Sequence, residues 1–335
     1  MILVTGSTGL VGSHLLYKLV SNNETVRAIY RSERKLDLVK NVFATYTENY
    51  NALFNAIEWV QADILDIPSL TEAFKNITHV YHCAAFVSFE PDKYQLLRKT
   101  NIEGTANIVN FCISNNVKKL CYVSSIATLG KPVTNEFITE ETAWNPEDDN
   151  NVYAITKYGA EMEVWRGTQE GLNTVIVNPG VILGAGIWRF GTGSLFKKAH
   201  KGLSYYTPGT IGLIGIDDVT TIMITLMKSD IINTNYVLVA ENWTYKKFLQ
   251  TLALSVNAKK PEKLASSFLL SIGWKLDWLN HKLTGKRRQL TKNLSSSLAS
   301  ETFYSSEKFK KELNYNFKDI EKTIYEIGKS YLKQV

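Results

Sequence analysis

Three closely spaced glycines, Gly6, Gly9 and Gly12, link the first apolar run of this chain to its first helical stretch. Residues 2–4 form a predicted buried strand, and the segment TGSTGLVG leads from it into a predicted helix over residues 11–20. In such a strand–turn–helix unit, the glycines permit a tight turn, close approach of a pyrophosphate and close packing of the helix on the strand. The helix N-terminus adds unpaired N–H groups and the positive end of a dipole. The segment therefore predicts a dinucleotide site whose contacts here are Gly6, Thr8, Gly9, Leu10 and Val11.

The order of the remaining segments predicts the fold class. Short apolar runs rich in β-branched residues alternate with longer helical patterns, as in parallel βαβ units. The predicted strands are residues 2–4, 25–30, 57–62, 79–83, 120–124, 174–178 and 236–240, and the predicted helices are 11–20, 34–39 and beyond, 69–74, 102–115, 153–167, 244–255 and 305–332. We therefore expect an α/β Rossmann fold, with a doubly wound parallel sheet and a smaller, interleaved C-terminal substrate lobe. The expected division is 1–183 and 212–242 for the dinucleotide-binding domain, and 184–211 and 243–335 for the substrate-binding lobe.

Composition narrows the class of protein. The chain has 335 residues, of which 44% are hydrophobic and 21% charged, as expected for an ordered globular protein. No apolar run reaches the ~20 residues needed to cross a bilayer, and Met1 leads into the first strand without a basic leader. Cys83, Cys112 and Cys121 are too widely spaced for a disulfide framework or a CxxC pair, and no metal site is predicted. We expect a cytoplasmic protein.

The net charge of +6 is unevenly distributed. Residues 243–335 contain 18 Lys and Arg but 8 Asp and Glu, so this third of the chain is strongly basic. Such an excess suits an anionic substrate, a membrane surface or nucleic acid. No nucleic-acid-binding motif accompanies the charge, so nucleic acid is set aside as a partner. A solvated, lysine-rich face is the simplest interpretation.

The residues after the second predicted strand indicate which dinucleotide is bound. At this position an acidic residue hydrogen-bonds the ribose of NAD, whereas an arginine accommodates the 2′-phosphate of NADP. This chain has Arg31 there, followed by Arg34 and Lys35. Arg31 therefore favours NADP, with NAD as the alternative. Asp63 and Ile64, which follow the third strand, are expected beside the adenine.

A tyrosine and a lysine form the predicted catalytic pair. Tyr153 and Lys157 lie four residues apart and therefore share one face of a helix. A phenol with a pKa near ~10 is a poor base at neutral pH, but a neighbouring ammonium stabilises its phenolate. Such a pair can move a hydroxyl proton while a nicotinamide exchanges hydride with the same carbon. Upstream, Ser124 and Ser125 end a strand, where their hydroxyls can hold a substrate oxygen.

These motifs occur in the order typical of one enzyme family. The matching segments are TGSTGLVG (5–12), ADILD (62–66), HCAA (82–85), NIEGTANIV (101–109), YVSSIA (122–127), YAITK (153–157) and NPGVILG (178–184). Over about its first 240 residues, the chain resembles the extended short-chain dehydrogenase/reductase family, which includes NAD-dependent epimerases and dehydratases.

The resemblance implies roles for individual residues. Ser125, Tyr153 and Lys157 would be catalytic, with Ser124 as the alternative serine. Asn101 would relay protons or stabilise its own helix. The cofactor contacts implied in this half of the site are Ala84, Ala85, Tyr153, Lys157 and Pro179, and Asn178 is an implied substrate contact.

Features that differ between branches of the family favour a reductase. Dehydratases carry an Asp-Glu pair directly after the catalytic hydroxyl, where this chain has Ile126 and Ala127. Epimerases generally read the ribose of NAD with an acidic residue, which this chain lacks. The pattern V-R-A-x-x-R over residues 26–31 is similar to the dihydroflavonol reductase and 3β-hydroxysteroid dehydrogenase branches, whose substrates are apolar and ringed. We expect an NAD(P)-dependent oxidoreductase with Tyr153 as acid/base. The alternatives are a sugar-nucleotide epimerase and a non-catalytic NADP-sensing regulator.

The first segment expected around the substrate is 186–206. It is a predicted mobile, glycine-rich loop, in which Trp188 and Phe190 are candidate contacts for a small apolar substrate. The alternative is that its aromatic residues form the core of the second lobe. Arg189, Lys197 or Lys198 would instead turn into the cleft to bind the diphosphate of a sugar nucleotide.

The second segment is an apolar helix over residues 264–283, which contains Trp274 and Trp278. A basic cluster follows it, formed by Lys282, Lys286, Arg287 and Arg288. This helix is a lid over the site, a core helix or a contact with an acidic membrane surface. The protein itself is expected to be a monomer or a homodimer.

Overall fold

The computed structural model describes residues 1–131, 137–285, 288 and 290–334, so Lys286 and Arg287 of the basic cluster lie outside the described residues. The strands are β1 (Ile2–Thr5), β2 (Val26–Tyr30), β3 (Glu58–Gln61), β4 (His79–His82), β5 (Lys119–Val123), β6 (Thr174–Pro179), β7 (Val181–Leu183), β8 (Tyr205–Tyr206), β9 (Thr210–Gly215), β10 (Thr234–Leu238), β11 (Glu241–Thr244) and β12 (Lys263–Leu264). The helices are α1 (Leu10–Ser21), α2 (Leu36–Phe43), α3 (Asn51–Asn55), α4 (Ile67–Ala73), α5 (Tyr94–Leu97), α6 (Gly104–Ser114), α7 (Val152–Gln169), α8 (Gly193–His200), α9 (Ile216–Lys228), α10 (Tyr245–Ser255), α11 (Ser267–Thr284), α12 (Lys292–Ala299), α13 (Glu307–Leu313) and α14 (Ile320–Leu332).

The central sheet has the order β10-β6-β5-β4-β1-β2-β3, and its seven strands are all parallel. Each of these strands coincides with one of the predicted runs to within two residues. The strand order reverses between β1 and β4, and open α/β sheets bind ligands at such a reversal, beside the carboxyl ends of the strands. The predicted doubly wound α/β fold is therefore confirmed.

Helices cover both faces of this sheet. On one face, α1 and α9 bury Leu15, Leu19 and Met223 with side chains from the strands. On the other face, α4, α6 and α7 bury a second set that includes Ile108 and Val164. Because most of these strands are covered on both sides, their residues are mostly apolar, which made the runs recognisable in the sequence, whereas the edge strand β3 is partly exposed.

A smaller hydrophobic core lies beside a separate sheet. In this sheet β9 pairs with β7 in parallel and with β11 antiparallel. The side chains of α8, α10 and α14 complete the core, among them Phe196, Phe248 and Ile324. The chain runs from β9 through α9 to β10 of the central sheet, so the two parts are interleaved. The expected boundaries at residues 212 and 242 fall inside β9 and β11, which pair with each other.

Two segments differ from their predicted structure. Within residues 186–206, the predicted loop contains α8, because Phe196 and Ala199 lie three residues apart and bury one helical face in the smaller core. Residues 305–332 form two helices instead of a continuous helical stretch. The first of them ends at Asn314, whose φ of 47° is left-handed and cannot continue a helix.

Candidate active site

A cleft of about 1020 Å³ opens where β1 and β4 end. Gly6 has a φ of +65°, and a Cβ atom there would lie 2.5 Å from the backbone nitrogen of Ala84. The N-terminal cap of α1 is Gly9, which makes no side-chain capping bond, and the first helical residues line the cleft. A side chain would fill this cradle, whereas a pyrophosphate beside the helix N-terminus fits it. The predicted cofactor residues that line the cleft are Gly6, Thr8, Gly9, Leu10, Val11, Arg31, Ile64, Ala84, Ala85, Tyr153, Lys157 and Pro179.

The cleft wall beyond β2 is basic. Arg31 and Lys35 line it, and Arg34 does not. Asp63 is the predicted cofactor contact that the structure does not bring to the wall. One of its carboxylate oxygens accepts a hydrogen bond from its own turn, and the other lies 3.8 Å from a guanidinium nitrogen of Arg31. Of the two residues expected beside the adenine, Asp63 and Ile64, only Ile64 therefore lines the cleft.

Tyr153 reaches the cleft from the first turn of α7. Asn151 begins this helix, because its side-chain oxygen accepts a 2.9 Å hydrogen bond from the backbone N–H of Ala154. Burial raises the pKa of Tyr153, and a hydrogen bond with Ser125 acts in the opposite direction. The Phe89 ring lies edge-on to the phenol, with 5.5 Å between centroids. The hydroxyls of Ser125 and Tyr153 therefore lie side by side in the cleft wall, where two hydroxyls can hold one oxygen of a ligand.

Lys157 lies one turn further along α7 and is almost fully buried. Its ammonium group donates hydrogen bonds to the hydroxyl of Tyr122 at 2.6 Å and to the backbone carbonyl of Val123 at 2.9 Å. The same group lies 4.3 Å from the centroid of the Tyr122 ring. Burial lowers the pKa of Lys157 to about 7, which brings a lysine charge into the neutral range.

A chain of buried polar groups continues from Tyr122 toward the glycine turn. Tyr122 hydrogen-bonds Thr105, and the Thr105 hydroxyl lies 2.9 Å from Nε2 of His82. Nδ1 of His82 lies 2.6 Å from the hydroxyl of Thr5, which directly precedes Gly6. Burial lowers the pKa of His82 to about 3, so the ring is neutral at physiological pH. This series of hydrogen bonds holds the Tyr122 hydroxyl in the position where it accepts a hydrogen bond from the Lys157 ammonium.

A buried carboxylate distinguishes the two serines. Glu161 accepts hydrogen bonds from Ser124 at 2.5 Å, from Thr128 at 2.8 Å and from the side-chain amide of Asn178 at 2.8 Å. Ser124 is thereby engaged, and Ser125 is the serine that bonds Tyr153. Asn178 was a predicted substrate contact, but it is fully buried among these partners and does not line the cleft.

Asn101 holds another part of the cleft wall in place through hydrogen bonds. Its side-chain oxygen accepts a hydrogen bond from the backbone N–H of Phe86 at 2.8 Å, and its amide donates to the Phe86 carbonyl at 3.0 Å and to Thr156 at 3.2 Å. These contacts tie the segment 86–90 to α7. All five residues of this segment line the cleft.

The cleft residues contributed by the later part of the chain are mixed in character. Phe190, Arg189 and Lys198 line it, together with Arg288, Thr291 and Leu294. Trp188 does not line it, because its ring packs edge-on against Phe196 and Tyr331 in the smaller core. Lys197, Trp274 and Trp278 are likewise absent from the wall in the described part of the chain.

Several residues of the site were missed at the sequence level. These are Tyr122, Thr105, His82, Glu161 and the segment 86–90. For Glu161 a signal existed, since Tyr153, Lys157 and Glu161 recur every four residues and so share one face of α7. His82, Thr105 and Tyr122 lie within the matched segments 82–85, 101–109 and 122–127. Their partners lie on distant elements, so the sequence did not show that they contact one another.

Comparison with known proteins identifies the family. The sequence model of the NAD dependent epimerase/dehydratase family matches residues 2–230. The chain belongs to this family. Its membership in the extended short-chain dehydrogenase/reductases confirms the resemblance seen in the sequence, and with it the expectation of an enzyme.

The relatives of this protein include both reductases and epimerases. Sterol demethylase protein B of Methylococcus capsulatus is 27% identical over 257 residues, which cover 75% of this chain and 73% of the relative. The putative dihydroflavonol 4-reductase of Synechocystis is 29% identical over 181 residues, which cover 54% of this chain and 49% of the relative, about half its length.

Solved structures share the fold of this protein over its whole length. The crystal structure of gox2253 superposes with a TM-score of 0.80 at 23% identity, covering 100% of this chain and 98% of that one. The structures of Bordetella bronchiseptica WbmG (TM-score 0.75, 17% identity) and Thermus thermophilus UDP-glucose 4-epimerase (TM-score 0.74, 18% identity) share this fold and contain NAD. At these identities the comparison establishes the fold.

Proposed function

We propose that the protein exchanges hydride between NADP(H) and a carbonyl or alcohol group of a largely apolar substrate. The observation that carries the proposal is the segment 86–90 beside the catalytic hydroxyls. In it, Val87 is 54% and Phe89 36% exposed, although both are large apolar side chains within the cleft. Such a wall binds a ringed substrate by contact area and excludes water from the reacting carbon. The relatives named as a reductase and a sterol demethylase support the same substrate class.

In this proposal the catalytic residues divide the work of moving a proton. A bound nicotinamide supplies or accepts the hydride. Ser125 holds the substrate oxygen, and Tyr153 donates a proton to it or removes one. The Lys157 ammonium stabilises the phenolate of Tyr153. Since the pKa of Lys157 is lowered to about 7, we expect the rate to depend on pH close to neutrality.

The proposed preference for NADP rests on Arg31 and Lys35. Replacing the Arg31 guanidinium removes a charge-assisted hydrogen bond to the 2′-phosphate, worth about 1.5–3 kcal/mol. We predict that Arg31→Ala weakens NADP(H) binding by that amount and leaves NAD(H) binding nearly unchanged, as measured by calorimetric titration. Arg34→Ala is the matched control, since Arg34 does not line the cleft. Equal dissociation constants of the wild-type protein for the two cofactors would contradict the preference.

A sugar-nucleotide epimerase is the second candidate. The observation in its favour is that Arg189, Lys198 and Arg288 line the cleft. Cations in the same cleft suit a diphosphate. UDP-glucose 4-epimerase of Vibrio cholerae is among the relatives.

One pair of assays distinguishes these functions. Purified protein is tested for NADPH oxidation with aromatic and alicyclic ketones, and separately for interconversion of UDP-glucose and UDP-galactose. Arg189→Ala/Lys198→Ala should leave ketone reduction largely intact under the first proposal, and should raise KM for the UDP-sugar under the second. Cofactor binding without turnover in either assay would favour a non-catalytic NADP sensor and overturn the proposed activity.

A further inference from the structure

Helix α11 carries a continuous apolar stripe on the side that faces away from the protein. Its members recur every three or four residues and therefore lie along one side of the helix. The residues of this outward stripe are Phe268, Ile272, Leu276, Leu279 and Leu283, whose exposed fractions range from 38% to 76%. Large apolar side chains exposed in such a contiguous row mark a binding surface.

The opposite side of α11 is packed against the protein. Leu270 is buried there, and a Cβ atom on Gly273 would lie 3.2 Å from the Leu290 side chain. Asp277, the one acidic residue in the sequence of α11, is also turned inward. Its carboxylate accepts a hydrogen bond from the backbone N–H of Leu290 at 3.2 Å and lies 3.6 Å from the guanidinium of Arg288. The carboxylate of Asp277 is therefore directed away from the outward stripe.

Positive charges border the stripe. Lys275 and Lys282 directly precede Leu276 and Leu283, so both lysines lie along the same edge. Both are exposed, and the ammonium of Lys282 lies 4.5 Å from the centroid of the Trp278 ring. Across residues 259–292 the sequence has 9 Lys and Arg against 2 Asp and Glu. The excess in this one segment exceeds the net charge of the whole chain, which is +6.

We propose that α11 docks flat on an anionic lipid bilayer. The outward stripe enters the acyl region, while Lys275 and Lys282 extend to the lipid phosphates and Trp278 lies at the interface. In the described part of the chain, no helix is long and apolar enough to cross a membrane, so the contact is with the surface. A protruding aliphatic row edged by lysines suits a fluid, negatively charged bilayer, which adapts to a convex helix.

The docking surface adjoins the cleft. Arg288, Thr291 and Leu294 follow α11 in the chain and line the cleft wall. A bilayer in contact with α11 would therefore lie near the entrance. The docking proposal does not depend on the reaction proposed above, because it rests on α11 and its surroundings.

The test is flotation of the purified full-length protein with vesicles. We expect binding to vesicles of 70% phosphatidylcholine and 30% phosphatidylglycerol, and much weaker binding to phosphatidylcholine alone. Lys275→Ala/Lys282→Ala should weaken binding about 25-fold, since each lysine contributes roughly fivefold. Leu276→Ser/Leu283→Ser should weaken it by at least about tenfold.

Matched variants separate docking from a general effect. Lys201→Ala/Lys329→Ala removes two exposed lysines elsewhere, and Ile232→Ser/Leu254→Ser removes two exposed apolar side chains elsewhere. Both should float like the wild type, and all four variants should keep the wild-type melting temperature. Absence of flotation with anionic vesicles, or equal losses in the control variants, would overturn the proposal. So would a wild-type dimer that fails to float and becomes monomeric on Leu276→Ser/Leu283→Ser, because the stripe would then bind a second copy.

Discussion

At the scale of single residues, the adjacent hydroxyls of Ser124 and Ser125 have different partners. Ser124 donates to the buried carboxylate of Glu161, whereas Ser125 bonds Tyr153 in the cleft. We predict that Ser125→Ala lowers kcat by about 10²-fold or more with little loss of stability. Ser124→Ala should instead cost about 1.5–3 kcal/mol in free energy of unfolding, because a charged acceptor loses a donor.

Steady-state kinetics and urea unfolding of both serine variants check this division. Tyr153→Phe provides the reference for loss of the proton carrier, and it should abolish most turnover while cofactor binding persists. The assignment is wrong if Ser124→Ala lowers kcat more than Ser125→Ala does.

The Tyr122 hydroxyl accepts a hydrogen bond from the buried ammonium of Lys157. Tyr122→Phe removes a hydrogen-bond acceptor from a buried ammonium and leaves the ring beneath it, so the pKa of Lys157 should fall further below about 7. We predict that the corresponding ionisation in the pH profile of kcat/KM moves down by about one unit. Tyr81→Phe is the matched control, because Tyr81 is equally buried on the other face of the sheet. An unchanged profile in Tyr122→Phe would contradict this role.

At the residue level, the sequence indicates which side chains lie together where they share one turn or one helix face. Gly6 and Gly9 adjoin one turn, and Tyr153 and Lys157 are one helical turn apart, so spacing alone brought them together. The acceptor of Lys157 is 35 residues away in the sequence, and the carboxylate that engages Ser124 is 37 residues away. Such partners become neighbours only when the strands and α7 assemble.

At the scale of elements, α7 supports the catalytic face and the loop behind it through Glu161. Glu161→Gln keeps the shape but removes the charge that four donors share, and it places an amide N–H against donors. We predict a loss of about 2–4 kcal/mol in free energy of unfolding, typical of a broken buried network. Glu163→Gln on the same helix removes a partly exposed ion pair with Arg166 and should cost less than about 1 kcal/mol. Urea unfolding of the two variants makes the comparison, and equal losses would contradict the role given to Glu161.

The elements that the sequence predicted well are those buried on both sides. The strands of the central sheet are mostly apolar and were predicted almost at their observed ends. Residues 186–206 were harder, since their glycines indicated a loop while α8 is stabilised by packing of Phe196 in the smaller core. The end of α13 depends on the left-handed Asn314, and its neighbours Tyr315 and Phe317 pack on Phe309. Tertiary contacts therefore decided what the local pattern left open.

At the scale of the whole molecule, two buried histidines join distant parts of the fold. His82 bridges Thr5 at the end of β1 and Thr105 in α6. His14 in α1 lies 2.6 Å from the Tyr46 hydroxyl and 3.0 Å from the carbonyl oxygen of Ala185, beyond β7. Burial lowers the pKa of His14 to about 4 and that of His82 to about 3. Each ring is therefore held neutral in the folded protein at pH values where the unfolded chain binds a proton.

These lowered pKa values predict acid sensitivity of the fold. Below pH ~6.5 the unfolded state takes up protons that the folded state refuses, so stability must fall as the pH drops toward 4, and neither histidine affects stability above that window. By pH 4 each histidine should cost on the order of 3 kcal/mol. Urea unfolding at pH 7.5, 6.5, 5.5 and 4.5 measures the slope, which His82→Gln should reduce by up to one proton. The same substitution at His281 on α11 is the matched control. A free energy of unfolding that stays constant from pH 6.5 to 4.5 would show that these rings do not link protonation to folding.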